Sequence, residues 1–423
     1  MITVLGVLLG IYSQNLGRLG RAIEVWANFD PHLLLLVFLP ALIFESAFNC
    51  DWHIFKVEFA QVLIMAGPML IGSIYLSALM FRFILGYDGD FTWSAALLYG
   101  SIISATDPVA VVCLLKELGA SKRLATMIEG ESLLNDGTAM VVFLVLLEIV
   151  EGEERSVGYI VAKFCQLSFG GPLLGLLTGV LVTGIIRRIH NNFVLEVNTT
   201  IFACYLMFFV AESTSLKVSG ILALVALGLY MTNSGKTRIS AESEHSVHHV
   251  WGYFGFIAET VIFILTGVIM GDRATDEDIK IDYTDYLKCI AAYLMLHVIR
   301  FIMIFIFWPL LSRLGYGMSF NQVILCSYAG LRGAVGMSLA LMVASSSKVP
   351  RYIQDVVLLH VAGVALLTLL INATTTGMLV RYLGLARYSD IKKNILIGLT
   401  YQLDKNVDEN IEILKTRRHF GQV

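Results

Sequence analysis

Ser-Ala-Thr-Asp-Pro, residues 104–108, interrupts an apolar run that extends from 91 to 117. Pro108 has no N–H and pushes Asp107 out of the α region. Asp is a preferred N-cap and Pro is favoured one position later, so Asp107-Pro108 reads as a helix that stops and restarts. A second interruption, Ala329-Gly330-Leu331-Arg332-Gly333-Ala334-Val335-Gly336, divides the run 319–346. Glycines on both sides of an arginine can unwind a helix. Arg332 can then satisfy the exposed carbonyls and the negative end of a half-helix. Taken singly, the first motif reads as readily as a proline kink. The two breaks occupy corresponding positions in the two halves of the chain, the pattern of an inverted repeat with its site at the repeat interface.

The surroundings of both breaks are those of a membrane protein. The 423 residues are 57% hydrophobic and 15% charged, with a mean hydropathy of +0.75. A soluble domain is roughly 25% charged. Further apolar runs occur near 2–12, 32–48, 59–85, 124–150, 160–186, 193–212, 217–232, 250–271, 286–311 and 353–383. A spanning helix needs about 20 residues. The chain therefore reads as an all-α polytopic membrane protein of about 12–13 spans. The run 2–12 is too short to span alone and has no basic stretch before it, which argues against a signal peptide. The simplest expectation is a helix whose first turns are missing.

Loop charge orients the chain. Lys116, Lys122, Arg123, Arg187, Arg188, Lys236, Arg238, Arg381, Arg387, Lys392 and Lys393 fall on one side, which is expected to be cytoplasmic. Arg18, Arg21, Arg155, Lys348 and Arg351 fall on the other, together with acids such as Asp88, Asp90, Glu151, Glu153, Glu154, Asp276, Glu277 and Asp278. Residues 1–387 form the membrane domain. Residues 388–423 are charged, with Leu396, Leu399, Leu403, Val407, Ile411 and Leu414 at helical spacing, and begin an amphipathic cytosolic tail. The formal net charge of −3 gives no basic surface for nucleic acid. The six cysteines show no CxxC or Cys/His spacing and read as free thiols. Gly171, Gly175 and Gly179, like Gly6/Gly10 and Gly267/Gly271, carry the spacing of close helix packing. Neither sequon, Asn198-Thr199-Thr200 nor Asn372-Ala373-Thr374, is placed for glycosylation.

Ionisable groups inside a membrane cost roughly 2.5–3.5 kcal/mol each by insertion scales, so they mark function by default. They are Glu45, Asp107, Glu129, Glu131, Asp136, Glu259, Arg300 and Arg332. In Gly130-Glu131-Ser132-Leu133-Leu134-Asn135-Asp136-Gly137, residues Ser132, Asn135 and Asp136 stand at i, i+3 and i+4 and share one helix face. A hydroxyl, an amide oxygen and a carboxylate are hard donors suited to a small cation. The bland alternative is a satisfied polar contact between helices. Thr106 adds a hydroxyl and a carbonyl at the first break. Glu131 projects elsewhere and needs its own partner, for which Arg300 is the candidate. Glu259 reads as packing or support, and Pro40 and Glu45 mark a helix that can line the cavity. His245, His248 and His249, beside Glu244, have a spacing that can bind metal, but the better reading is a solvated cytosolic loop.

These residues resemble the sodium/proton exchanger family of cation/proton antiporters. The resemblance covers nearly the whole chain to about Arg387. It rests on Phe38-Leu39-Pro40 with Phe44-Glu45, Ser104 through Val111, Gly130 through Asp136, and Gly330 through Ala334. It implies an inverted-repeat antiporter fold with two crossed discontinuous helices, and a homodimer of protomers with a dimerisation domain and a mobile core. It implies that Asp136 binds Na⁺ with Asn135, Ser132 and Thr106 around it and Asp107 alongside. Glu131 would pair with Arg300, Arg332 would steady the crossed breaks, and Glu259 would give support. The stretch Asn135 through Phe143 is most similar to the branch with the plant salt-tolerance antiporters and the sperm-specific exchangers. That branch implies a plasma-membrane, or flagellar-membrane, protein with regulatory cytosolic domains. No enzyme activity and no cofactor beyond the transported ions is expected.

The mechanism follows. Carboxylates removed from water favour their neutral form, so H⁺ and Na⁺ compete for Asp136. An empty, charged site should not cross, whereas a loaded one can. That implies electroneutral 1:1 exchange of Na⁺ (or Li⁺) for H⁺ by elevator-type alternating access, consistent with Asn135 in place of a second acid. K⁺/H⁺ exchange by the same oxygens stays open. A cation channel has no repeated filter motif to support it, and a membrane-embedded hydrolase has no HExxH or GxSxG.

Overall fold

The computed structural model describes residues 2–12, 17–18, 20–21, 31–87, 89, 91–152, 156–189, 192–214, 216–274, 283–386 and 390–415. Arg155, Arg387, Asp88, Asp90, Glu153, Glu154, Asp276, Glu277 and Asp278, cited above for sidedness, lie outside the described residues.

Each of the twelve apolar runs forms helix. In chain order these are α1 (Ile2–Ile11), α2 (Pro31–Asn49), α3 (Trp52–Ile84), α4 (Trp93–Ser104), α5 (Val109–Glu117), α6 (Lys122–Val150), α7 (Val157–Ile186), α8 (Phe193–Ser213), α9 (Gly220–Gly235), α10 (Ala241–Ala274), α11 (Tyr283–Leu311), α12 (Phe320–Tyr328), α13 (Ala334–Ser345), α14 (Arg351–Tyr382) and the amphipathic α15 (Asp390–Lys415). Eight spans among the described residues are long and apolar enough to cross a membrane unaided. The helices start where side chains can accept the free N–H groups of the first turn. Thr92 accepts from Ala95, Ser156 from Tyr159 and Ser219 from Leu222, and Ser319 with Gln322 forms a capping box.

The three histidines are corrected by the structure. His245, His248 and His249 do not lie in a loop but in the first turns of α10. Their i, i+3, i+4 spacing continues the helix period of the apolar run after them. Among the described residues no group of three His, Cys, Asp or Glu is placed to hold a metal.

Contacts near the helix ends join segments expected on the same side. At one end Arg123 donates to the Gly317 carbonyl, and Asn321 to that of Leu383 (3.1 Å). At the other, Glu151 receives Ser346 (2.8 Å) and Lys348 (3.3 Å). The small residues do what their spacing implies. Gly6 and Gly10 lie directly against Gly267 and Gly271, and Gly175 lies against the Ala223 backbone. A Cβ at any of these would strike the neighbouring helix, so the backbones approach as closely as two helices can. Helices α1, α2 and α7–α10 pack chiefly with one another, as do α3–α6 and α11–α14.

Candidate functional site

Both discontinuities exist, and they meet. The first leaves residues 105–108 outside helix between α4 and α5, and the second leaves 329–333 outside helix between α12 and α13. The Asp107 N–H donates to the Leu331 carbonyl at 2.9 Å, joining break to break. Unwinding frees carbonyls at the end of α4, and buried carbonyls must find donors. Three side chains supply them. Asn135 Nδ2 reaches Ser104 O (3.4 Å), Arg332 Nη1 reaches Ala105 O (2.7 Å), and Ser132 Oγ donates to Thr106 O. Asn135 Nδ2 also donates to Thr106 Oγ1 at 3.0 Å.

Asp107 takes the opposite pole. Its carboxylate accepts from the Val109 N–H at 3.0 Å and faces the Ala334 N–H. These groups begin α5 and α13, so one negative charge caps the positive ends of two half-helices. Helix α5 starts at Val109, one residue later than the Asp-Pro pattern implies, but Asp107 still supplies the cap bond. Gly333 is needed for room. Its φ of −124° is ordinary, and the Asp107 carboxylate occupies the space of a Cβ there. Gly330 likewise lies against the Arg300 side chain. The glycines of the second break thus provide space for charged groups, not left-handed backbone.

On α6, Ser132, Asn135 and Asp136 share a buried face. Among the described residues Asp136 makes no ion pair, whereas Glu131 pairs with Arg300 Nη2 at 2.8 Å. Arg300 Nε also holds the Cys326 carbonyl at 2.9 Å. Asp136 borders a cavity of about 190 Å³ with Asp107, Ser132, Glu45, Gly255 and Glu259. Among the described residues no basic side chain lines it. The cavity lies between α2, α5, α6 and α10, toward the α2 C-terminus and the α10 N-terminus, hence toward the side of the 118–121 loop. Glu259, expected as support, stands on the far wall with Glu45. Asn49 Nδ2 donates to Glu45 at 2.6 Å, and His248 Nδ1 lies 2.6 Å from Asn49 Oδ1.

The donors that flank Asp136 on α6 are engaged elsewhere. Ser132 gives its hydrogen to Thr106 O, and Asn135 gives both amide hydrogens to the first break. The buried Asn135 Oδ1 has no donor among the described residues. On this face of α6 only lone pairs and a carboxylate remain, an arrangement that suits a hard cation or a proton. Thr368 and Asn372 of α14 also reach the second break. Asn372 is noted in the sequence only as part of a sequon and Thr368 not at all; their one signal for this role is polarity inside an apolar run.

Residues 1–382 match the family described as "Sodium/hydrogen exchanger, transmembrane". The chain is 35% identical to Sodium/hydrogen exchanger 8 of Arabidopsis thaliana over 429 residues, covering all of this chain and 56% of the plant protein. It is 31% identical to the low-affinity Na⁺/H⁺ antiporter NhaS1 of Synechocystis, covering 85% of this chain and 66% of that protein. Its fold superposes on the sodium proton antiporter MjNhaP1 from Methanocaldococcus jannaschii with a TM-score of 0.75. That likeness covers 90% of this chain and 91% of the other at 18% identity.

Proposed function

Because this chain belongs to the sodium/hydrogen exchanger family, we propose that it exchanges Na⁺ (or Li⁺) for H⁺ across a membrane, with Asp136 as the residue that carries either ion. The observation that carries this reading is a buried carboxylate at the cavity beside Ser132, whose hydrogen goes to Thr106 O, and Asn135, whose amide hydrogens go to the first break. A cation entering the cavity would meet the Asp136 carboxylate, Ser132 Oγ, Asn135 Oδ1 and the Thr106 hydroxyl oxygen. Asp107 holds two helix ends and acts on the ion through its charge. Glu45 and Glu259, with no basic partner in the cavity, draw cations toward it.

Competition between Na⁺ and H⁺ for one carboxylate is the coupling. A bare Asp136 would have to cross an apolar barrier as a charge, at a cost of roughly 2.5–3.5 kcal/mol or more. A carboxylate carrying either ion is closer to neutral. Loaded forms therefore alternate and the empty form does not, which gives electroneutral 1:1 exchange. The wall carboxylates belong to the group of α1, α2 and α7–α10, and Asp136 to the other. We assign the first group to a dimerisation domain and the second to a mobile core that moves as an elevator in a plasma-membrane homodimer. The chain spans about half the length of the plant exchanger named above, and cytosolic regulatory domains fit that difference.

Proton movement in sealed vesicles driven by Na⁺, Li⁺ or K⁺ gradients tests this. Na⁺- or Li⁺-driven movement that ignores an imposed membrane potential is expected. Movement driven by K⁺ alone would change the substrate, and a rate that follows the potential would contradict electroneutrality.

A further inference from the structure

In an unbroken helix the Arg332 N–H would donate to the Tyr328 carbonyl four residues earlier. The second break separates this pair, leaving Arg332 buried and Tyr328 half-buried, where unpaired backbone groups are costly. One short segment of α14 re-satisfies both. Arg332 N donates to Thr368 Oγ1 at 3.2 Å, and Asn372 Nδ2 donates to Tyr328 O at 2.9 Å. Thr368 and Asn372 are the first and last residues of a single π turn, Thr368–Asn372. Such turns recur at functional sites because they re-aim side chains.

The hydrogen positions on Asn372 follow from its neighbours. Tyr293 O–H lies 2.7 Å from Asn372 Oδ1, so that oxygen accepts. The amide nitrogen then donates to Tyr328 O and to His297 Nε2, 2.5 Å away. His297 Nδ1 lies 2.9 Å from the Tyr293 carbonyl, which can only accept, so Nδ1 carries the hydrogen and Nε2 is bare. The set closes with neutral His297. Thr368 is consistent with it, since its own hydrogen goes to Ala365 O at 2.9 Å.

We propose that Thr368 and Asn372 are positioning residues for the transport reaction, holding the second break open so that Arg332 and the Ala334 N–H stay in register with Ala105 and Asp107. This rests on the exchange function proposed above. Neither residue touches the ion. Both act through the crossing that presents Thr106 to Asp136. His297 makes the arrangement sensitive to pH. A second proton would put an N–H on Nε2, facing the Asn372 amino group. The amide would then turn over, and Tyr328 O would lose its donor. Arg300 and Arg332 are the charges facing His297, with Tyr293 and Tyr328 as its ring neighbours.

The experiment compares Na⁺-driven proton flux in proteoliposomes for the wild type, Asp136→Asn, Thr368→Val, Thr368→Ser, Asn372→Leu and His297→Gln, with folded protein quantified by size-exclusion chromatography. Thr368→Val and Asn372→Leu should raise the KM for Na⁺ about tenfold, as expected for one orphaned backbone group. Thr368→Ser should restore the wild-type KM. His297→Gln, which keeps an acceptor but cannot titrate, should flatten the acid limb of the pH profile. The proposal is overturned if Thr368→Ser is as impaired as Thr368→Val, if flux falls only in proportion to folded protein, or if the His297→Gln profile superimposes on the wild type. Wild-type flux equal to that of Asp136→Asn would instead overturn the functional reading beneath it.

Discussion

Glu131 and Arg300 form a contact whose loss should be felt well away from the ion. Their side chains are 2% and 11% exposed, with Nη2 and Oε1 2.8 Å apart. Removing one partner of a buried pair costs about 3–5 kcal/mol, because the other charge stays buried. Arg300 keeps its bond to Cys326 O, which places Glu131→Gln near the lower end, about 3 kcal/mol. Midpoints shift by about 2–4 °C per kcal/mol in chains of 150–250 residues. This chain is longer, so a fall of about 5 °C is expected. Arg300→Met keeps the apolar stem beside Gly330 and should cost a similar amount. In the double variant no buried charge remains unpaired, so its loss should be smaller than the sum by about 2 kcal/mol. Midpoints of the detergent-purified protein, read at one heating rate because unfolding is irreversible, give the result. Shifts below about 1 °C in both single variants, or strict additivity in the double, would refute the reasoning.

Two further outcomes follow from the site. Gly333→Ala puts a methyl group into the space of the Asp107 carboxylate. It should abolish transport and lower the unfolding midpoint, whereas Gly252→Ala, with open space around it, should fold normally, as unfolding scans will show. Competition at one carboxylate means that protons exclude Na⁺ as pH falls. Below the carboxyl's titration midpoint the apparent KM for Na⁺ should rise about tenfold per pH unit while the maximal rate is unchanged. Initial rates over a grid of pH and Na⁺ check this, and a fall in maximal rate at constant KM would contradict it.

The fold was legible because a bilayer makes hydrophobic length diagnostic, so every apolar run became helix, although the helices of runs 59–85 and 250–271 begin seven and nine residues earlier, at Trp52 and Ala241. The two breaks were legible because Pro108 and the Gly330–Gly333 pair are strong punctuation, and their matching positions linked them. The Glu131–Arg300 pair was legible by elimination, since a buried charge needs a partner. The π turn holding Thr368 and Asn372 was not. It follows from packing against the second break, and nothing local distinguishes it from α-helix in an apolar run. The histidines of α10 were misplaced because polarity resembled a loop, while their spacing already had the helical period. Asp107 was legible as the cap of the restarting α5, and only three-dimensional contact brings its carboxylate to the start of α13 as well.

The central claim is tested most directly by Na⁺-driven proton flux in vesicles for Asp136→Asn against the wild type, at equal amounts of folded protein. Asn preserves shape and oxygen but can carry neither the charge nor the proton. The account predicts flux in the wild type and none in the variant, and equal flux in the two would contradict it.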